Sequence, residues 1–343
     1  MCVEWCPDRP RSSRTGDSVT DLDSPTAGAN ADSSYDSNDL VNIEAAVAEA
    51  VEKLQLTDLA PAGSGLEFVV HRAVSSEHGL VAVRVPRYRA YRFPGRKPFT
   101  AERSLGQEQL ICGHLYAMGF PVAEPLAMVQ TAAGPVLVSG FLPSDRDGAE
   151  SVQIGELLAR LHEAPLPPGL DPLDHDGYPV AEAVARRLRR RWSQMIEHLP
   201  ALPPAPTLDA AIAALEPISG SPALLHLDIR ACNLLSADDR ITGWVDWTCA
   251  MVGHPGMELA RLSEYAQLPE NGLCEVEVRD GYQRVAPLPE LDPALEALVR
   301  LDTVLMLGVI FFAYAPDATR QTWVGDRLGV LIEQCEGALG GRT

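Results

Sequence analysis

The tightest constraint in this chain lies between residues 224 and 247. Leu224-Leu225-His226-Leu227-Asp228-Ile229-Arg230-Ala231-Cys232-Asn233-Leu234-Leu235 is followed by Ile241-Thr242-Gly243-Trp244-Val245-Asp246-Trp247. Leu234 and Leu235 start a short strand, and Asp246 ends the returning one. The polar residues between them read H-x-D-x-x-x-x-N, with an acid set among apolar residues thirteen positions after the asparagine. Asp228, five residues before Asn233, reaches one cleft from a short loop, and Asp246 points back at it. Phosphoryl transfer needs this set: one carboxylate to meet a hydroxyl, and an amide oxygen plus a second carboxylate to hold magnesium against phosphates. Magnesium is a hard cation and prefers such oxygen ligands.

Around this core, 343 residues allow two lobes. The net charge is −19, which excludes a general nucleic-acid binder. The charge is uneven. Residues 1–42 carry −5, residues 43–149 carry −1, and residues 150–343 hold 28 acids against 15 bases, or −13. Such a field draws in cations, although solubility explains acidic surfaces equally well. No apolar run reaches the roughly 20 residues of a membrane span. The best candidate, Val304 to Tyr314, is too short, so no membrane partner is expected. The N-terminus has acids and no apolar h-region, which argues against a secretory signal. Seven scattered cysteines without a CxxC pair point to free thiols in a reducing, cytoplasmic compartment and not to zinc.

Residues 1–40 are poor in apolar side chains and rich in Asp, Ser, Thr, Gly and Ala, so a disordered acidic tail is expected. A helix is predicted over 39–54. Leu66 to Val74 and Leu80 to Val85 read as a strand hairpin, with Pro86 as its stop. Thr100 to Met118 reads as a helix, and 127–130 with 134–139 as a second hairpin. This organisation predicts an N-lobe of small antiparallel sheet and packed helix over 41–140. A mainly helical C-lobe is predicted over 141–343, giving an α+β bilobal chain. Its helices fall at 152–162, 181–198, 293–315 and 323–339. The basic run Arg186-Arg187-Leu188-Arg189-Arg190-Arg191 is expected to form a solvated helix face.

These motifs resemble the aminoglycoside phosphotransferase family, which has a protein-kinase-like fold. The family's HGDLHPGN loop is matched by His226 to Asn233, and its V-I-D-W element by Trp244-Val245-Asp246-Trp247. Its G-D-P-x-x-D-L-A is matched by Gly253-His254-Pro255-Gly256-Met257-Glu258-Leu259-Ala260. Further matches are Ala62-Gly63-Ser64-Gly65, Leu158-Ala159-Arg160-Leu161-His162, and Val83-Arg84-Val85-Pro86-Arg87, which also resembles the macrolide-kinase branch. The resemblance implies a nucleotide-dependent transfer of a γ-phosphate, from ATP or GTP with Mg²⁺, to a small-molecule alcohol. Asp228 would be catalytic, and His226 would shape its loop. Asn233 and Asp246 would bind metal. Gly63 and Gly65 would bring backbone N–H groups to phosphates, and Arg84, paired with Glu108, would hold them. The connector at Val138–Phe141 would read the purine, and His162 would be structural. The acidic C-lobe favours a cationic acceptor, with the region from Glu258 to Glu277 as its wall.

Leu227 stands where the family has Gly, Arg230-Ala231-Cys232 where it has His-Pro-Gly, and His254 where it has Asp. These departures keep a second reading open, a catalytically degraded nucleotide-binding regulatory protein. A protein kinase fits less well, since the chain has no D-F-G or A-P-E.

Overall fold

A computed structural model describes residues 39–340 except Pro94; the expected tail lies, apart from Asp39 and Leu40, outside these residues. Helix α1 (Ile43–Leu54) starts later than the sequence pattern suggests. Asn42 caps it by accepting the Ala45 N–H at 3.0 Å, while Leu40 bridges to Tyr88. Strands β1 (Thr57–Ser64), β2 (Phe68–Ser75) and β3 (Gly79–Pro86) follow. β1 is not anticipated from its sequence. It contains Pro61 and pairs irregularly at the sheet edge, where a missing N–H is tolerated. Short strands β4 (Ala90–Tyr91) and β5 (Phe99–Thr100) flank an excursion before α2 (Ala101–Ala117). Then come β6 (Pro125–Gln130) and β7 (Pro135–Gly140). The five-stranded antiparallel sheet has the order β1-β2-β3-β7-β6.

Alternation along β3 divides the work of that sheet. Val81, Val83 and Val85 are fully buried against Ala46, Val47 and Ala50 of α1. Arg84 points to the other face, beside Phe68 and α2. That face looks onto the cleft.

The second part is mostly helical. β8 (Arg146–Asp147) leads to α3 (Ser151–Glu163), α4 (Val180–His198) and α5 (Leu208–Leu215). Three short strands, β9 (Ala223–Leu225), β10 (Leu234–Ala237) and β11 (Arg240–Trp244), frame the H-x-D-x-x-x-x-N loop. β12 (Met251–Gly253) pairs back onto β9. Helices α6 (Gly256–Tyr265), α7 (Glu275–Gln283), α8 (Pro293–Val309) and α9 (Ala318–Gly340) complete the chain. α3 and α7 cross at two glycines. A Cβ on Gly155 would lie 1.9 Å from the Val278 carbonyl, and one on Gly281 would lie 2.0 Å from that of Val152. Only glycine permits this approach.

Two expectations fail in this part. Helix α8 continues through a π-turn to Tyr314, so Pro293–Tyr314 is long and apolar enough to cross a membrane. Its apolar window is 78% buried inside the protein, as in a core helix. The basic run on α4 is not a solvated face either. Arg187 and Arg191 are buried and grip Asp302 of α8, with Arg187 Nη2 2.8 Å from Oδ2 and Arg191 Nη1 2.7 Å from Oδ1. Arg187 also reaches Asp174 at 3.5 Å, and Arg96 of the β4–β5 excursion binds Asp174 at 2.6 Å. Arg96 Nη2 donates to the Thr248 carbonyl at 2.7 Å. The network therefore bolts the excursion, α4, α8 and the segment after Asp246 together.

Burial alone would raise the Asp302 carboxyl, but the Arg187 and Arg191 guanidinium groups hold it below the usual carboxylate range. A depressed folded-state value means the stabilisation is complete above the unfolded pKa of about 4 and is lost as pH falls below it. Asp302→Ala leaves two guanidinium groups buried without their anion and should cost about 3–5 kcal/mol in urea denaturation. The wild-type protein should lose stability below about pH 4 more steeply than this variant.

Candidate active site

The loop between β9 and β10 is built on buried side chains. His226 has no exposed surface, stacks on Trp244 at 4.9 Å and meets Trp247 edge-on at 4.6 Å. Its Nδ1 accepts the Asp228 N–H at 3.1 Å, and Nε2 lies 3.0 Å from the Val245 carbonyl. With one nitrogen accepting and the other donating, the ring is neutral and both nitrogens are committed. His226 therefore holds the loop's shape and is not placed to react.

Leu227 takes a left-handed backbone, φ 60°, at the position where the motif has glycine. The geometry is kept and the side chain is accommodated in the helical core. Glu258 of α6 makes the turn possible. Its two carboxylate oxygens accept the N–H groups of His226 and Leu227, each at 2.7 Å. Sequence reading noted Glu258 as an acid and missed this role; the only signal was its place in the third motif. His254, in the place of an aspartate, accepts the Gly256 N–H on Nδ1 at 3.1 Å at the start of α6. Burial pushes its pKa down and favours the neutral, accepting ring. His162 is buried, with Nδ1 3.0 Å from the Tyr282 hydroxyl.

Asp228 is 2% exposed, and four donors converge on its carboxylate. Arg230 Nε lies 3.0 Å from Oδ1 and Nη2 2.9 Å from Oδ2. Asn233 Nδ2 donates to Oδ2 at 2.9 Å, and the Tyr265 hydroxyl to Oδ1 at 3.1 Å. Burial would raise Asp228, but the Arg230 charge and hydrogen bonds, with the Arg261 charge, hold it below the ordinary range. Asn233 Nδ2 also donates to the Asp228 carbonyl at 2.8 Å. These two bonds fix the amide so that Oδ1 faces away from Asp228, and among the described residues the weak Cys232 thiol donor meets it at 3.6 Å.

Asp246 follows β11 in a left-handed conformation, φ 68°, and is 6% exposed. The Thr248 N–H reaches its Oδ1 at 3.5 Å. No cation pairs with it among the described residues. The Val245 N–H donates to the Asn233 carbonyl at 3.0 Å, which sets the two segments side by side. A buried carboxylate without a cation, next to an amide oxygen turned outward, suits Mg²⁺. No cluster of three His, Cys, Asp or Glu that could hold a metal ion occurs among the described residues.

Across the cleft, Arg84 Nη1 binds Glu108 Oε1 at 2.7 Å, and the guanidinium lies 4.0 Å above the Phe68 ring. Burial pushes Glu108 up, Arg84 opposes this, and the nearby Asp246 charge adds to the rise. The structure thus brings Arg84, Glu108 and Asp246 into one neighbourhood. The glycine turn is placed differently from expectation. The Gly65 N–H donates to the Phe68 carbonyl at 2.8 Å and so is not turned out toward a phosphate. Gly63 sits within β1, opposite Val70. Arg87 clamps the turn through the Gly65 carbonyl at 2.7 Å and the Ser64 hydroxyl. In the connector, the Gly140 and Phe141 N–H groups are taken by the Glu124 and Leu80 carbonyls.

The expected acidic wall is largely occupied from within. Glu258 holds the loop, Glu264 binds Arg300 and Arg327, Glu270 binds Arg320, and Glu275 binds Arg279.

Comparison with known proteins accords with this geometry. No curated protein matches. Among solved structures, a thermostable mutant of aminoglycoside phosphotransferase APH(4)-Ia, in ternary complex with AMP-PNP and hygromycin B, is 17% identical with a TM-score of 0.58. The match covers 84% of this chain and 98% of that one. The gentamicin complex of APH(2")-IIa is 15% identical, with a TM-score of 0.54 over 84% and 97% of the two chains. These likenesses establish the bilobal kinase-like fold. The profile of the phosphotransferase enzyme family matches residues 58–294, from the glycine turn through the Asp228 loop to the start of α8, and the chain belongs to that family.

Proposed function

We propose that this phosphotransferase moves the γ-phosphoryl group of ATP or GTP to a hydroxyl of a small, amino-bearing acceptor, in the cytoplasm. The observation that carries the reading is the buried loop in which Asn233 meets the Asp228 carboxylate at 2.9 Å beside the cation-free carboxylate of Asp246. Retention of these three groups weighs against a degraded regulatory module.

Asp228 orients the acceptor hydroxyl and takes its proton. Asn233 Oδ1 and Asp246 would hold Mg²⁺, which would offset the charge of the nucleotide phosphates. Arg84, steadied by Glu108 and Phe68, grips those phosphates from the sheet side. His226 and Glu258 keep the loop turned so that Asp228 faces the cleft. Gly63 remains a candidate for close backbone approach to phosphate, whereas Gly65 needs a changed turn. For the acceptor, relatives bound to hygromycin B and gentamicin support an amino-bearing alcohol. The −13 of residues 150–343 supports the same choice through its long-range field, since the acids at 258, 264, 270 and 275 already have partners.

Three outcomes test this reading. Asp228→Asn should keep the fold, melt somewhat lower because the buried Arg230 loses its anion, and lose at least about 10²-fold in turnover, the range for a missing positioned base. Wild-type turnover in that variant would remove Asp228 from the chemistry. Asp246→Ala should bind nucleotide equally with and without Mg²⁺ in titration calorimetry, whereas the wild type should depend on the metal. Surface fields are screened beyond a Debye length of about 8 Å at physiological salt. The KM for amino-bearing alcohols should therefore rise with ionic strength while the nucleotide KM changes less. A preference for neutral alcohols with no salt response would remove the cationic acceptor and leave the phosphotransferase reading in place.

A further inference from the structure

The side chains that donate to the Asp228 carboxylate come from two places in the fold. Arg230 and Asn233 lie two and five residues away in the same loop, so they hold Asp228 only relative to that loop. Tyr265 comes from the last turn of α6, 37 residues on, and its hydroxyl meets Oδ1 at 3.1 Å. Among the described residues it is the donor that ties this carboxylate to the helical core. Its ring is buried in that core, and the Asn271 amide donates to its carbonyl at 2.8 Å, which secures the helix end.

A second side chain sets the direction of the bond. Arg261, one turn earlier on α6, donates Nη2 to the Tyr265 hydroxyl at 2.8 Å, with its guanidinium 5.2 Å from the ring centre. A guanidinium only donates, so the phenol oxygen accepts there. Its single proton is left for Asp228, which as a carboxylate only accepts. Burial pushes the Tyr265 phenol up, so it keeps that proton. The Arg261 charge polarises the O–H and strengthens its bond to Oδ1, as happens along hydrogen-bond chains in a low-dielectric interior. The same Nη2 lies 3.0 Å from Met306 Sδ on α8. The path from α8 through Arg261 and Tyr265 to Asp228 thus carries the frame of two helices to one carboxylate oxygen.

We propose that Tyr265, oriented by Arg261, is a positioning residue that fixes the plane of the Asp228 carboxylate for the acceptor hydroxyl. This inference rests on the phosphotransferase reading and adds to it two residues outside the three motifs. Asp228 has to present one oxygen along a narrow approach, and rotation about its Cβ–Cγ bond would carry both oxygens out of line. Asn233 holds Oδ2 at 2.9 Å and Tyr265 holds Oδ1, so the rotation is stopped from both sides. A misplacement of about 1 Å costs on the order of 10²-fold in rate. Tyr265 neither takes nor gives a proton during transfer. The acceptor proton passes to Asp228, and the phenol keeps the receiving oxygen in place.

The test compares wild type, Tyr265→Phe, Arg261→Met and the double variant. Each is assayed with Mg²⁺ and whichever of ATP and GTP the wild type binds more tightly. The acceptors are ethanolamine, glucosamine and water alone. Water is present throughout, so a rate is read whether or not either alcohol is taken. Calorimetric stoichiometry counts nucleotide-binding sites, and kcat is expressed per site, so a partly unfolded preparation cannot mimic a catalytic loss. Tyr265→Phe should lower kcat about 10–10²-fold. The nucleotide Kd with Mg²⁺ and the nucleotide KM should change less than about threefold, because the lost bond acts on the base and not on the nucleotide. Arg261→Met leaves the hydroxyl beside Asp228 but free to turn, and should lower kcat about 3–10-fold. The double variant should fall within about twofold of Tyr265→Phe alone, because Arg261 has no hydrogen bond to the base except through that hydroxyl. Losses that add would show two separate structural effects and overturn the proposal. So would a per-site kcat in Tyr265→Phe within about threefold of wild type, or a loss of nucleotide affinity as large as the loss of kcat. A wild-type chain that consumes no nucleotide in any of these assays would instead overturn the reading beneath, and this inference with it.

Discussion

The site depends on two hydrogen bonds from one buried carboxylate. Glu258 accepts the N–H groups of His226 and Leu227 at 2.7 Å each, and so holds the backbone in the turn that leads into Asp228. Bonds from neutral donors to a charged acceptor are roughly twice as strong as neutral pairs, and burial strengthens them further. The rest follows in sequence. His226 is set between Trp244 and Trp247, its Nδ1 takes the Asp228 N–H, and Asn233 closes the loop from the other side. The helix that bears Glu258 also bears Arg261 and Tyr265, which touch Asp228 directly or through one bond. One element therefore fixes both the backbone and the surroundings of Asp228.

Charge inside the protein serves a different purpose from charge outside it. Asp302, Asp174, Glu264 and Glu258 are all buried, and each is partnered by arginines or backbone N–H groups. Buried ion pairs add little net stability over apolar packing, but they penalise wrong arrangements heavily. Here they join elements far apart in sequence, such as Arg96 with Asp174 and Arg187 with Asp302. Asp246 is a buried carboxylate that has no arginine partner among the described residues and accepts only the long Thr248 N–H bond among them, near the partly buried Glu108. A buried carboxylate whose printed partner is one long backbone N–H bond is chemically suited to an oxygen-seeking cation.

Much of this was legible in the sequence because it is local. The His226–Asn233 loop, Asp246 thirteen residues on, and the alternating valines of β3 each declare themselves within a short window. Arg84 and Glu108 were paired through the resemblance alone, and the structure sets them 2.7 Å apart. What escaped the reading depends on partners distant in the chain. The basic run on α4 looks solvated until Asp302, more than a hundred residues away, is brought onto it. Strand β1 hides because Pro61 breaks its pattern, which an edge position tolerates. The Gly65 N–H could not be read as occupied, because only the closed β1–β2 turn shows the Phe68 carbonyl upon it.

Leu227 shows why a departure from a motif need not mean decay. A left-handed backbone costs a non-glycine residue about 1–2 kcal/mol. A glycine there would remove that strain, but it would also add freedom to the unfolded chain and empty the space the leucine fills. Leu227 is 3% exposed and belongs to the helical core with Leu225, Cys249 and Met251. Burying a side chain of that size returns about 1.5–3 kcal/mol, and deleting it costs about 2–5 kcal/mol once the cavity is included. The apolar contribution thus matches or exceeds the strain, and Glu258 holds the turn with either residue. The same logic covers His254, which accepts at the start of α6 as an aspartate would. Arg230 is a departure of another kind, because it sets a buried guanidinium 2.9 Å from the Asp228 carboxylate.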